Sequence, residues 1–468
     1  MARRSFLAAP AALPFVLAVA FAQNTPTTNP TAAPTARSDY ALTNVRIVIA
    51  PGRVIERGTV LTRDGRIAAV GATVQVPAGV VQMDLSGHTV YAGLIDAATS
   101  IGLPSPTRAL PTAAGAADPT GGRGGRGGGA PAGGGRGVAL GRGAAPAPPV
   151  VLPEIEADAE AADMFQPTDD QLKAFRAGGV TTVGLVFDGG IFPGRVGAAL
   201  TGGASTSSLP LRAAVGQNVS FGTRRDGYPG TLIGSLAYVK QMYLDAQYEA
   251  RLEKAFKAGT PGARPSNDPM RRALMAASMN EMPSWFVAST EREISRVAEI
   301  TKDISIKAPV IVGAREGWRS VATLKAAGAT AVVSVNWPMA ETITGRAFLG
   351  IGNGRPGNIP PADSAANTEV RANPAALIKA GIPVALASYG GESGVTFRSR
   401  IREAIAAGLS ADDALRAATV TPAALLGVTA AVGTIEVGKL ANFVVVTGND
   451  LFAAGNPIKH VFVDGRLY

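Results

Sequence analysis

The chain has 468 residues, 46% of them hydrophobic, and no cysteine. It can bury a barrel-sized core plus a smaller domain, and it can hold no disulfide, thiolate metal site or cysteine nucleophile. A formal net charge of +9 permits anionic partners without identifying one.

The first residues read as an export signal. Arg3 and Arg4 form a positive start, Phe6 to Val19 an apolar run, and Ala20-Phe21-Ala22 a small-residue cleavage site. The competing reading is an N-terminal membrane anchor, but the run falls short of the ~20 residues that a span requires. Residues 1–22 are therefore expected to be removed on export to the periplasm or medium, leaving no membrane span. Residues 23–37, rich in Thr, Pro and Ala, read as a disordered linker.

Residues 38–92 read as short strands. Tyr40 to Val48 is β-rich. Gly58 to Thr62 and Ile67 to Gly71 flank Arg63-Asp64-Gly65-Arg66, where Asp-Gly predicts a hairpin. The chain ends on further β-rich pieces, Asn442 to Val446 and His460 to Arg466.

Between these ends apolar runs alternate with helical spacing, the pattern of parallel βα units. The predicted strands are Leu94-Ile95, Gly179 to Val186, Arg195 to Leu200, one within Leu211 to Phe221, Trp285 to Ala288, Pro309 to Gly313, Thr330 to Val335, and Ile382 to Ala387. Ser235 to Lys257, Glu291 to Ile300 and Trp318 to Ala327 read as helices. Eight strands suit a (β/α)₈ barrel. Residues 104–150 form a low-complexity Gly/Ala/Pro/Arg insertion, with Arg123, Arg126, Arg136 and Arg142 among the glycines of 121–143. Such a tract cannot pack a core. Arg-Gly tracts can bind nucleic acid electrostatically, but this one has no interleaved aromatic residue, and the reading favours an insertion without a specific nucleic-acid partner.

Several motifs stand in a specific order. Ser86 to Ala92 leads into Gly93-Leu94-Ile95-Asp96-Ala97-Ala98-Thr99-Ser100. Ala177-Gly178-Gly179-Val180-Thr181-Thr182-Val183 and Gly381-Ile382-Pro383-Val384-Ala385-Leu386 follow. Leu409-Ser410-Ala411-Asp412-Asp413-Ala414-Leu415 then runs through Thr421-Pro422 to Gly433-Thr434-Ile435-Glu436-Val437-Gly438-Lys439-Leu440-Ala441-Asn442-Phe443-Val444-Val445. Together they resemble the amidohydrolase superfamily, especially its imidazolonepropionase-like members, over residues 40–468 apart from the glycine tract.

The resemblance implies a (β/α)₈ barrel over residues 93–424 and a small composite β-sandwich built from both chain ends, 38–92 plus 425–468. It also implies hydrolysis of non-peptide C–N bonds by zinc or another divalent metal held at the carboxyl ends of the strands. The residues depart from that chemistry. The first-strand histidine pair aligns with Ala98 and Ser100. The later ligand positions fall at Val287 or Ser289 and at Gly313 or Arg315, and the last-strand aspartate falls at Tyr389. The only histidines are His88 and His460, both outside the barrel segment. No zinc or other cofactor is therefore expected, because such a site needs several imidazole or thiolate donors.

Three functions stay open: a metal-free pseudoenzyme binding a small organic ligand or a protein partner, a hydrolase with an oxygen-only metal site or metal-free chemistry, and an anion-binding surface protein acting through the Arg-Gly tract. The oxygen-only site would draw on Asp96, Asp188, Glu316 and Glu392. A metal-free nucleophile would be Ser100 or Ser388 with a neighbouring base. Structural roles are favoured for Asp96, His88 and His460, and a surface turn for Glu436 and Lys439. The loop Gly189 to Arg195 lacks the Lys-Ser/Thr of a phosphate loop and reads as turns. The candidate pocket at the strand ends comprises Asp188, Arg315, Asn336, Tyr389 and Glu392. Homo-oligomers are compatible with all three readings.

Overall fold

The computed structural model describes residues 38–104, 157–223, 228–337, 364–389 and 394–468. The segments expected to be an export signal (1–22) and a linker (23–37), the Gly/Ala/Pro/Arg-rich residues beyond Pro104, and Glu392 lie outside the described residues.

The first five strands are β1 (Tyr40–Ala50), β2 (Arg53–Arg63), β3 (Arg66–Gly71), β4 (Val81–Asp84) and β5 (His88–Ala92). The β2–β3 turn is the predicted Asp-Gly hairpin. Asp64 and Gly65 both have positive φ, 50° and 78°, as a two-residue hairpin of this kind requires.

A barrel follows: β6 (Leu94–Thr99), α1 (Asp169–Ala177), β7 (Val180–Leu185), β8 (Gly194–Leu200), β9 (Pro210–Val219), α2 (Leu232–Lys257), α3 (Pro269–Ser278), β10 (Ser284–Ala288), α4 (Glu291–Asp303), β11 (Val310–Gly313), α5 (Val321–Ala326), β12 (Thr330–Ser334), α6 (Ser364–Lys379) and β13 (Val384–Ala387). Then come α7 (Gly394–Ala406), α8 (Ala411–Ala417) and α9 (Val420–Leu425), and the closing strands β14 (Phe443–Thr447), β15 (Ile458–Val463) and β16 (Arg466–Leu467).

The chain ends meet. β14 pairs antiparallel with β5, placing Phe443 opposite Ala92 and Thr447 opposite His88. The resulting sheet runs β16-β15-β14-β5-β1-β2-β3, with β4 also on β1. It curls over one apolar core in which Phe443, Phe462 and Tyr40 pack ring against ring, with centroids 4.6 Å and 5.3 Å apart.

The eight barrel strands form a second sheet, ordered from β6 to β13. Seven run parallel. β8 is antiparallel to both β7 and β9, against the expectation of uniform βα units. Its connections explain this: residues 186–193 and 201–209 hold no α-helix, and a parallel return needs a crossover of a dozen or more residues.

Strand alternation divides the barrel's side chains. Val196, Ala198, Trp285, Val310, Val312, Val332, Ala385 and Ala387 pack together inside, closed off by Ala423, Leu426, Val428 and Val432. Phe286, Ile311, Val333 and Leu386 face the helices, where Ile294, Val297, Leu324, Leu377 and Phe397 cover them. The helix starts are well capped. Thr168 and Thr290 each form a reciprocal capping box with Gln171 and Glu293, and Asp268 caps α3 ahead of Pro269. Among the described residues no helix is long and apolar enough to cross a membrane.

Candidate functional site

The site is built where β13 returns to β6. No ladder hydrogen bonds join these two strands among the described residues. The Ile95 amide instead donates to the Ala418 carbonyl at 2.7 Å. At the other end of the seam the Asp96 carboxylate does the joining. It accepts the Ser388 amide at 2.9 Å, the Ala98 amide at 3.3 Å, and a short hydrogen bond from the Ser388 hydroxyl. Asp96 is wholly buried and Ser388 almost so. Burial without a countercharge pushes the Asp96 carboxyl up from its ordinary 3.8 to about 7, against the pull of its three donors.

This clasp decides two of the sequence readings. The structural role expected for Asp96 holds. Ser388 has a carboxylate partner, as a metal-free nucleophile would need, but its hydroxyl is turned into the barrel wall and spent on that partner. Ser100 stands just beyond β6 and is half-buried.

Three of the degenerate ligand positions come together. Ala98 lies fully buried in the apolar barrel cluster, and Val287 and Tyr389 pack against the same cluster from β10 and from the end of β13. Gly313 ends β11 with φ of 101°, and a Cβ added there would stand 2.5 Å from the Ser289 hydroxyl. The backbone has therefore settled into a conformation that leaves no room for a ligand side chain at that position.

This donor set does not fit a zinc ion. It offers two aliphatic groups, a glycine, one hydroxyl at Ser100 and a phenol, and burial together with the Asp188 charge raises the phenol well above its ordinary range. Among the described residues an oxygen-only set is not assembled either. Asp96 is committed to Ser388, and Glu316 accepts the Glu291 amide at 2.9 Å at the start of α4. Among the described residues no group of three or more His, Cys, Asp or Glu side chains is placed to hold a metal.

The rim is polar. Asp188 follows β7, Arg315 follows β11, Asn336 follows β12 and Tyr389 follows β13, all at carboxyl ends of barrel strands, where sites collect in this architecture. Tyr389 reaches across β6 to Asp188, its hydroxyl 3.4 Å from the carboxylate. The Asn336 amide donates to Ser334 Oγ at 3.2 Å, and Ser334 Oγ donates to the Tyr389 carbonyl at 3.0 Å. Around Arg315 the backbone is pinned: Ala314 donates to Ala288 at 2.8 Å and Glu316 to Ser289 at 2.8 Å. The Arg315 side chain is half-buried, and its buried Nε has no hydrogen-bond partner among the described residues.

Both histidines sit in the composite sheet. His88 Nδ1 lies 3.0 Å from the Ser86 carbonyl. His460 is on β15, where burial and then Lys459 and His88 lower its basicity. Glu436 and Lys439 pair at 3.1 Å in a turn. The Gly189–Gly190 loop carries two positive φ angles, 85° and 72°, as a turn does.

Residues 321–468 match the amidohydrolase family. Among solved structures, an amidohydrolase from Thermotoga maritima superposes with a TM-score of 0.68 at 20% identity, over 92% of this chain and 99% of that one. A Xaa-Pro dipeptidase with bound methionine superposes with a TM-score of 0.51 at 16% identity, over 92% and 100%. No curated protein sequence matches the chain.

Proposed function

We propose that this amidohydrolase-superfamily chain, whose residues 321–468 match the family and whose barrel has the amidohydrolase fold, is an exported, metal-free binding protein that takes an organic acid at the mouth of its barrel. The observation that carries this reading is the meeting of Ala98, Val287 and Tyr389 on one apolar cluster. Where metal donors would cluster, Ala98 and Val287 give an apolar floor, and Asp188, Tyr389 and Arg315 stand as a rim at the strand ends. The barrel segment contains no histidine or cysteine from which a transition-metal site could be rebuilt.

Such a floor takes the apolar body of a ligand, and the rim fixes its polar end. Arg315 is the anchor, because a guanidinium can hold a carboxylate through two parallel hydrogen bonds and this one stands half-buried just after a barrel strand. Tyr389 offers a ring face and a hydroxyl already held by Asp188. Calorimetric titration with a panel of N-acyl amino acids and dipeptides tests this. At least one acid should bind the wild type, and Arg315→Ala should abolish that binding with an unchanged circular dichroism spectrum. Retained affinity in Arg315→Ala would remove Arg315 as the anchor, and failure of the whole panel would remove the acid-binding reading.

A further inference from the structure

On the helix side of the barrel, α6 and α7 hold an arginine pair that the fold leaves undersupplied with acceptors. Glu403 is the shared partner. Its Oε2 accepts the Trp337 indole N–H at 2.8 Å, lies 3.1 Å from Arg371 Nε, and lies 3.7 Å from Arg400 Nη1. One carboxylate oxygen thus faces an indole and two guanidinium groups.

The geometry leaves donors unused. Arg400 is only 5% exposed, and its Nε and Nη1 have no hydrogen-bond partner among the described residues. Arg371 Nε is buried and stands within ion-pair range of Glu403 but is not aligned for a hydrogen bond. The neighbouring arginines of α7 are treated differently. Arg398 donates to the carbonyls of Leu451 at 2.8 Å and Asn456 at 2.6 Å, and Arg402 to that of Phe452 at 2.8 Å. Carbonyls satisfy donors without cancelling charge. Two guanidinium groups and one carboxylate leave the Arg371–Arg400–Glu403 group with a net positive charge, and its buried N–H groups find no acceptor among the described residues.

A buried cation keeps its charge at low cost only when it is paired and hydrogen-bonded. The planar guanidinium fork fits the oxygen spacing of carboxylate and phosphate. The side chains of Arg371 and Glu403 are 26% and 28% exposed, so the group reaches solvent on their side, with Arg400 at its back. We propose that Arg371 and Arg400 form an oxyanion-binding site between α6 and α7, completed by the phosphate or carboxylate group of a ligand. This site lies among the helices outside the strands, where Trp337 packs, and does not depend on the reading of the mouth.

The test is thermal unfolding of the full chain, titrated separately with inorganic phosphate and with succinate, each at ionic strength matched with sodium chloride. At least one anion should raise the melting temperature saturably above the chloride control. A response to phosphate alone assigns a phosphate ligand, and one to succinate alone a carboxylate. Arg371→Gln, a change at the partly exposed member that should still fold, should raise the apparent Kd at least tenfold. Arg371→Lys, which keeps the charge and loses the fork, should fall between. An absence of any saturable rise, as when a carboxylate of the chain itself fills the place, overturns the proposal. So does a rise that Arg371→Gln leaves intact.

Discussion

The Asp96 clasp makes the stability of this barrel depend on pH in a direction opposite to that of most buried carboxylates that have a cationic partner. Asp96 has no cation beside it, only three hydrogen-bond donors, and burial raises its carboxyl from 3.8 to about 7. In the unfolded chain it ionises near its ordinary value. Between about pH 4 and 7 the folded state therefore holds a proton that the unfolded state has released. That contribution is fully present below the unfolded value and is lost as pH rises through the folded one. A shift of about three units at ~1.36 kcal/mol each corresponds to roughly 4 kcal/mol across the window. Asp96→Asn removes the titration and keeps the geometry. Its amide oxygen can accept the Ser388 and Ala98 amides, and its NH₂ can donate to the Ser388 hydroxyl. Urea unfolding of both proteins at intervals from pH 4 to 8 gives the difference directly, with other titrating groups cancelling. The wild type should lose roughly 4 kcal/mol relative to Asp96→Asn over that range and then level off. A flat difference, or a wild type that gains on the variant as pH rises, would refute the account of Asp96 as a desolvated seam carboxyl.

Three further outcomes follow from the packing and the rim. Ala98→His should destabilise the protein, because it forces an imidazole into a full apolar cluster; overpacking costs ~1–3 kcal/mol and an unpaired buried polar atom a similar amount, read as a lower urea midpoint. Gly216→Ala should impair folding, since its Cβ would stand 2.8 Å from the Pro283 carbonyl and inside the contact distance of the buried Trp285 ring; a soluble variant with unchanged melting temperature would show that Trp285 can move aside. Asp188→Ala should weaken acid binding at the mouth less than Arg315→Ala does, because it removes only the acceptor that orients the Tyr389 hydroxyl; equal losses by calorimetry would move the anchor from Arg315 to the Asp188–Tyr389 pair.

Much of the architecture was legible because the barrel strands are short apolar runs with clear flanking turns. The ends of the chain read as strands, and their union came from the resemblance, since strand periodicity does not report partners. Two misreadings have physical causes visible in the sequence. The run His460 to Arg466 reads as one β piece, yet Asp464-Gly465 repeats the turn signal of Asp64-Gly65 and splits it into β15 and β16, with positive φ at both residues. The inversion of β8 could have been taken from its helix-free connections.

The candidate site was less legible. The family resemblance located Ala98, Val287 and Tyr389, which the fold brings to one cluster, because position along a barrel strand dictates depth in the barrel. The Asp96–Ser388 clasp joins residues 292 positions apart, and no local pattern announces it. The Arg371–Arg400–Glu403 group escaped for a similar reason. On α7, Arg400 and Glu403 read as an ordinary helical pair three residues apart, and only the packing of α6 beside them shows two guanidinium groups competing for one carboxylate.

The central claim is that the barrel mouth works without a transition metal. Elemental analysis of the full chain, purified without chelators and dialysed against metal-free buffer, tests it most directly. The account predicts zinc, iron, nickel and manganese each far below one equivalent, unchanged when the growth medium is supplemented with them. About one tightly held ion per chain, the occupancy a working metal centre requires, would contradict it.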